Sequence, residues 1–218
     1  MANILVIGAS RGTGREVCRA ATGRGHNVRA FSRSGTRPSG APGAEPFKGD
    51  ALEPGDVERA LDGIDTVVQA LGVSLSPGLL TEPVTLFSEA TRVLLPAMQA
   101  TGTNRLVAVT GFGAGDSNAA ISPLQRIPFN LVLKRAYDDK DVQEDMIIAS
   151  GLDWLIVRPG ALLSAPIAGS VTVLTNPEDW RNGFITRTAV ADFILDRIDA
   201  GPLGREKPVV ISLPLPLP

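Results

Sequence analysis

Residues 5–17 read LVIGASRGTGREV: an apolar run, glycines at 8, 12 and 14, then a helical pattern. The run at 3–8, NILVIG, is short and rich in β-branched residues, which suits a strand buried on both faces. Residues 12–24 place Val17, Cys18 and Ala21 on one side of a helix. Glycines therefore gather where a strand hands over to a helix. The spacing G-x-x-x-G-x-G implies that something comes very close to the backbone there.

The same rhythm continues along the chain. Strands are expected at 26–32 (HNVRAFS), 46–50 (PFKGD), 64–72 (IDTVVQALG), 105–111 (RLVAVTG), 153–160 (DWLIVRPG) and 208–213 (PVVISL). Helices are expected at 53–63, 83–101, about 130–150 and about 187–200, with 35–46 and 111–129 as long connections. Such alternation implies a parallel sheet with helices on both faces. The expectation is an α/β, Rossmann-type doubly wound sheet of three layers. It forms a single domain over 1–218, with a small lid at about 161–185 and an extended tail, LPLPLP, at 213–218.

In a doubly wound sheet the first strand–helix turn lies under the pyrophosphate of a dinucleotide. That assigns Gly8, Gly12 and Gly14, with Ser10, Arg11 and Thr13 between them, to cofactor binding. An NAD site usually carries Asp or Glu at the end of the second strand, for the ribose 2′-OH. Here that place reads FSRSGTR, with Arg33 and no carboxylate. Arg11 and Arg33 can clamp a 2′-phosphate, so NADP(H) is expected ahead of NAD(H). Both arginines also read as solvated surface charges.

Composition narrows the remaining classes. With 44% hydrophobic residues, 218 residues can bury one substantial core. A net charge of −2 argues against nucleic acid or a membrane surface as partner. The one cysteine, Cys18, excludes an intramolecular disulfide and reads as a small core residue, and no metal site is expected. No apolar stretch is long enough to span a bilayer, which makes a cytoplasmic location the expectation.

The segments GASRGTG, GDALEP, VVQALG, RLVAVTG and SGLDWLIVRPG occur in this order over about residues 3–200. On them the chain resembles the atypical short-chain dehydrogenase/reductases, in the branch of NmrA-like proteins and the biliverdin reductase B/flavin reductase type. The resemblance implies that Asp50 and Ala51 flank the adenine. It implies that Ala70, Leu71 and Gly72 line the cofactor, and that Thr110 lies beside the nicotinamide. It further implies that Lys140 bonds the nicotinamide ribose and that Pro159, after Arg158, borders the nicotinamide. Each residue has a plainer reading: Pro159 also stops a strand, and Asp50 also caps a helix.

The pattern departs from its better-known relatives in one place. They use Tyr-x-x-x-Lys, whereas Lys140 has alanine at 136 and the chain's one tyrosine at 137. One residue turns a helical side chain by about 100°. Tyr137 therefore reads equally as a surface ring or as an acid. His26, the one histidine, lies at the far edge and reads as structural. The biliverdin reductase B type has serine after the fifth-strand threonine; here stands Gly111. Thr110 and Lys140 are left as candidate proton donors.

Without a positioned acid, a simple ketone is a poor acceptor of hydride, whereas a conjugated one spreads the charge. The expected function is NADPH-dependent reduction of a flat flavin-, quinone- or bilin-like acceptor. The alternative is an NmrA-like redox sensor without turnover. A nucleotide-sugar epimerase is disfavoured, because it needs the tyrosine and a larger lobe after Gly160. Leu75, Leu79, Leu80, Phe112, Ile121, Phe129, Leu162, Trp180 and Phe184 are expected at the strand C-termini. They suit an apolar or aromatic ligand and serve equally as loop anchors. GFGAG at 111–115 reads as a mobile turn. The chain is expected to act as a monomer or homodimer.

Overall fold

The computed structural model describes residues 1–73, 83–164, 167 and 169–214. Strand β1 (Asn3–Ile7) leads through the glycine turn into α1 (Gly12–Gly23). There follow β2 (Asn27–Ser32), β3 (Glu45–Lys48), α2 (Pro54–Ala60) and β4 (Thr66–Gln69). Next come α3 (Leu86–Thr101), β5 (Arg105–Val109), a 3-10 helix (Gly115–Ala120), α4 (Pro123–Val132) and α5 (Lys134–Ala149). Strand β6 (Asp153–Pro159) opens the last part, with β7 (Ala161–Leu163), β8 (Thr172–Leu174) and β9 (Gly183–Thr186). Helix α6 (Arg187–Asp199), β10 (Val209–Ile211) and β11 (Leu213–Pro214) complete it.

The main sheet has the order β3-β2-β1-β4-β5-β6-β10-β8. All its pairs are parallel except β10 with β8. Chain order reverses between β1 and β4, and a crevice opens above their C-terminal ends. Alternation along β1 shows why helices cover both faces. Ile4 and Val6 join Val17, Cys18 and Ala21 of α1 and Val190, Ile194 and Leu195 of α6. Leu5 and Ile7 face Val57 of α2, Leu94 and Met98 of α3 and Ile147 of α5. Every one of these strand side chains is essentially inaccessible to water, so truncating a central one costs about 2–5 kcal/mol. Cys18 is a core residue, its thiol pushed up to about 12 by burial. His26 accepts from the Ala2 N–H through Nδ1 and stands 3.0 Å from Asp199, far from the crevice.

Two connections differ from expectation. The loop at 111–129 is structured: the 3-10 helix and α4 lie within 111–132, and only α5 matches the helix expected at about 130–150. The missed signal is Ser122-Pro123, where proline's fixed φ suits a first helical residue and the Ser122 carbonyl accepts the Arg126 N–H. GFGAG is tied to its surroundings at two amides. The Gly113 N–H donates to Ser117 Oγ at 2.9 Å, and the Gly115 N–H to Asp141 at 2.6 Å.

The expected lid region supplies β8 to the main sheet and, with β7 and β9, a second sheet of order β11-β9-β7. Leu213–Pro214 pair with Phe184 and Gly183, so the start of the tail forms a ladder, which Pro214 tolerates on an edge strand. Residues 215–218 of that tail and the expected loop leucines 75, 79 and 80 lie outside the described residues. No helix among the described residues is long and apolar enough to cross a membrane.

Candidate active site

The three glycines of the first turn have different physical reasons. Gly8 has φ +90°, and a Cβ there would stand 2.6 Å from the Ala70 carbonyl oxygen. A Cβ on Gly14 would overlap the Gly8 carbonyl, so this glycine lets α1 close onto β1. Gly12 has φ +60°, and a Cβ there would meet no backbone, only Arg187 Nε at an ordinary contact distance of 3.9 Å. Helix α1 starts there with no side-chain cap bond and no acidic residue in its first turn. Its leading N–H groups and the positive end of its dipole are thus available to an anion.

A cavity of about 700 Å³ runs from this turn along the strand C-termini. One end is formed by Gly8, Ser10, Arg11, Gly12, Thr13 and Arg33, with Asp50 and Ala51 after β3. Ala70, Leu71 and Gly72 form the middle; Thr110 and Lys140 stand at the other end. Gly14 and Pro159 do not line it. Gly14 is taken up by helix–strand packing. Pro159 pairs with Val210, and its carbonyl accepts the Phe112 N–H at 2.8 Å. The Asp50 carboxylate braces its own turn, accepting the Leu52 N–H at 3.1 Å.

Of the loop hydrophobics expected to line a substrate site, Leu162 faces the cavity. Phe112, Ile121 and Trp180 instead form a satellite core with Leu174, Val209 and Ile211. Phe184 is taken by the small sheet and does not line the cavity, and the Phe129 side chain lies outside the described residues. The apolar wall comes from Leu71, Val73, Leu86, Phe87, Leu133 and Tyr137. Sequence reasoning also missed Arg15, Ser164 and Arg187, which line the same cavity.

The far end rests on a buried ionic network. Arg158, fully buried, donates from Nε to Glu144 Oε1 at 3.1 Å and makes a second bond to Oε2. Its Nη1 lies 2.7 Å from Asp116, and its guanidinium stacks 5.1 Å over Trp180. Burial acts to raise Asp116, but Lys207 and Arg158 outweigh it and hold the carboxyl below its usual range. Thr110 donates its hydroxyl hydrogen to Glu144 at 2.7 Å. With its hydrogen directed at that carboxylate, Thr110 presents lone pairs to the cavity.

Lys140 donates to the Thr110 carbonyl and lies 4.8 Å from the Phe87 ring and 5.4 Å from that of Tyr137. Burial brings its ammonium down to about 8, against the pull of Glu144 and Asp139. Asp139 accepts the Phe87 N–H at 2.7 Å, which fixes the start of α3 beside the lysine. Tyr137 is no surface ring. It lines the cavity, and its hydroxyl occupies the space that a side chain at Gly111 would need. Burial, helped by the Glu144 charge, pushes the phenol up to about 12.

The residues present therefore fit a dinucleotide: an uncapped helix start, an open Gly12 and a rim of guanidinium groups, with an apolar recess beyond. Comparison with known proteins agrees. Residues 8–200 match the sequence profile of the NAD(P)H-binding family, and the chain belongs to that family.

Among individual proteins it is similar to the uncharacterized sugar epimerase YhfK of Bacillus subtilis. That likeness is 28% identity over 178 residues, covering 80% of this chain and 77% of that one. In structure it is similar to ChuY, an anaerobilin reductase of Escherichia coli O157:H7. The TM-score is 0.80 at 23% identity, covering 99% of this chain and all of that one. A short-chain dehydrogenase/reductase of Veillonella parvula in complex with NADP gives a TM-score of 0.79 at 14% identity, covering 97% and 94%.

Proposed function

We propose that this protein is an NADPH-dependent reductase of a flat conjugated acceptor, of flavin, quinone or bilin type. The observation that carries the reading is the continuous cavity, with cationic side chains and helix N–H groups at one end and an apolar wall including Phe87 and Tyr137 at the other. In this reading the α1 amides at Gly12 and Thr13 hold the diphosphate. Arg11 and Arg33 hold the 2′-phosphate, which favours NADPH over NADH. Ala70, Leu71 and Gly72 follow the cofactor, and Lys140 supports the nicotinamide ribose. NADPH, when bound, supplies the hydride. ChuY, which shares the fold, is described as a bilin reductase, which supports an extended acceptor.

On this chain Lys140, brought down to about 8 by burial, is the candidate proton donor. Tyr137, pushed up to about 12, is a weaker acid than a free phenol and serves first as an aromatic wall. Thr110 accepts from a donor on the ligand, its own hydrogen being held by Glu144. The test is NADPH oxidation with flavin, quinone, bilin and simple-ketone acceptors, in wild type and in Tyr137→Phe. Turnover with a conjugated acceptor is expected. Turnover of ketones alone contradicts the reading, and tight binding of NADPH with no turnover of any acceptor favours the sensor role.

A further inference from the structure

We propose that Arg187 is a further phosphate-binding residue, gripping the diphosphate of the dinucleotide from beside the glycine turn. The inference rests on dinucleotide binding, not on the identity of the acceptor. Arg187 opens α6, which packs beside α1 in one shared core, so the base of its side chain is fixed relative to the α1 N-terminus. Its Nε lies 3.9 Å from the point where a Gly12 Cβ would stand, ordinary contact distance, so the guanidinium stands directly beside that helix start. Both residues line the same cavity.

The local electrostatics favour an incoming anion. A cation at the first residue of a helix opposes the dipole, so Arg187 is badly placed for stabilising α6. The helix is capped without it, by Thr186 Oγ1 accepting the Ala189 N–H at 3.1 Å. Among the described residues, the hydrogen-bond partner of its guanidinium is a neutral hydroxyl, Ser164 Oγ at 3.0 Å. Ser164 directly follows β7, so the same guanidinium joins the phosphate site to the small second sheet. Remaining N–H groups of the planar fork can meet two phosphate oxygens.

The position also separates Arg187 from the 2′-phosphate arginines. Arg33 follows β2 at the adenosine side, whereas Arg187 arrives from the side of β7 and Leu162. The experiment is calorimetric titration of wild type, Arg187→Ala and Arg187→Met with NADPH, NADH and adenosine 2′-monophosphate, which lacks a diphosphate. Both variants are expected to lose about tenfold or more in affinity for NADPH and for NADH alike. Adenosine 2′-monophosphate should change less than about twofold, since its phosphate never meets this residue. Unchanged dinucleotide affinity in the folded Arg187→Met variant overturns the proposal, and so does a loss confined to NADPH or shared by adenosine 2′-monophosphate. Failure of the wild type to bind either dinucleotide overturns the underlying reading instead.

Discussion

The two ends of the cavity are built from different materials. The phosphate end is main chain: glycines, an uncapped helix start and long cationic side chains at the rim. The chemical end is side chain. Thr110 is held by Glu144, which pairs with Arg158, and Lys140 by the Thr110 carbonyl, on groups drawn from the end of β5, α5 and β6. A site made of backbone tolerates changes that leave the turn intact. A site made of buried charges depends on each partner keeping the others neutralised.

The largest expected effect is at the chemical end. Glu144→Ala leaves the buried Arg158 with only the half-exposed Asp116, and should lower stability by about 3–5 kcal/mol in urea unfolding. A loss below about 1 kcal/mol would mean that the pair is not buried as described. At the phosphate end, Gly14→Ala drives a Cβ into the Gly8 carbonyl and should cost about 1–3 kcal/mol. Gly12→Ala meets only Arg187 Nε at ordinary contact distance, so its penalty is the left-handed backbone alone, about 1–2 kcal/mol. Equal thermal shifts from a shared wild type would erase the distinction between packing glycine and cradle glycine.

Proton linkage sharpens the contrast further. Lys140 is lowered from 10.5 to about 8, so below pH 8 the folded and unfolded chains both carry its proton. Above that only the unfolded chain keeps it, and stability rises with pH. Tyr137, raised from 10.0 to about 12, acts oppositely once the unfolded phenol ionises. The expected rise therefore runs from about pH 8 to pH 10, and Lys140→Met should flatten it. Identical profiles in the two proteins would remove Lys140 as the titrating group. The smallest effect is at the rim: Arg33→Ala should weaken NADPH about tenfold and leave NADH unchanged.

What the sequence disclosed follows the same division. The turn after β1 was legible because strand, glycine spacing and helix are neighbours in the chain, and each glycine answers to local geometry. The parallel sheet with helices on both faces followed from the alternation of strands and helices. Tyr137 was read by its spacing to Lys140, which disregards what the neighbouring strand leaves open. The bare Cα of Gly111 makes room for the phenol, and no helical period reports that. The bond from Thr110 to Glu144, three turns along another element, is not visible in its own segment. Arg187 and Ser164 come from the far end of the chain and show no motif. The small second sheet was missed because β7, β9 and β11 are short and interrupted by Gly183 and Pro214.

The central claim is that the open start of α1 holds the cofactor's diphosphate. It is tested most directly by titrating NADPH into wild type and Gly12→Val, with circular dichroism to verify that the variant is folded. The account predicts one bound NADPH per wild-type chain and a folded variant with at least about tenfold weaker binding. A folded variant that binds NADPH as tightly as wild type would contradict it.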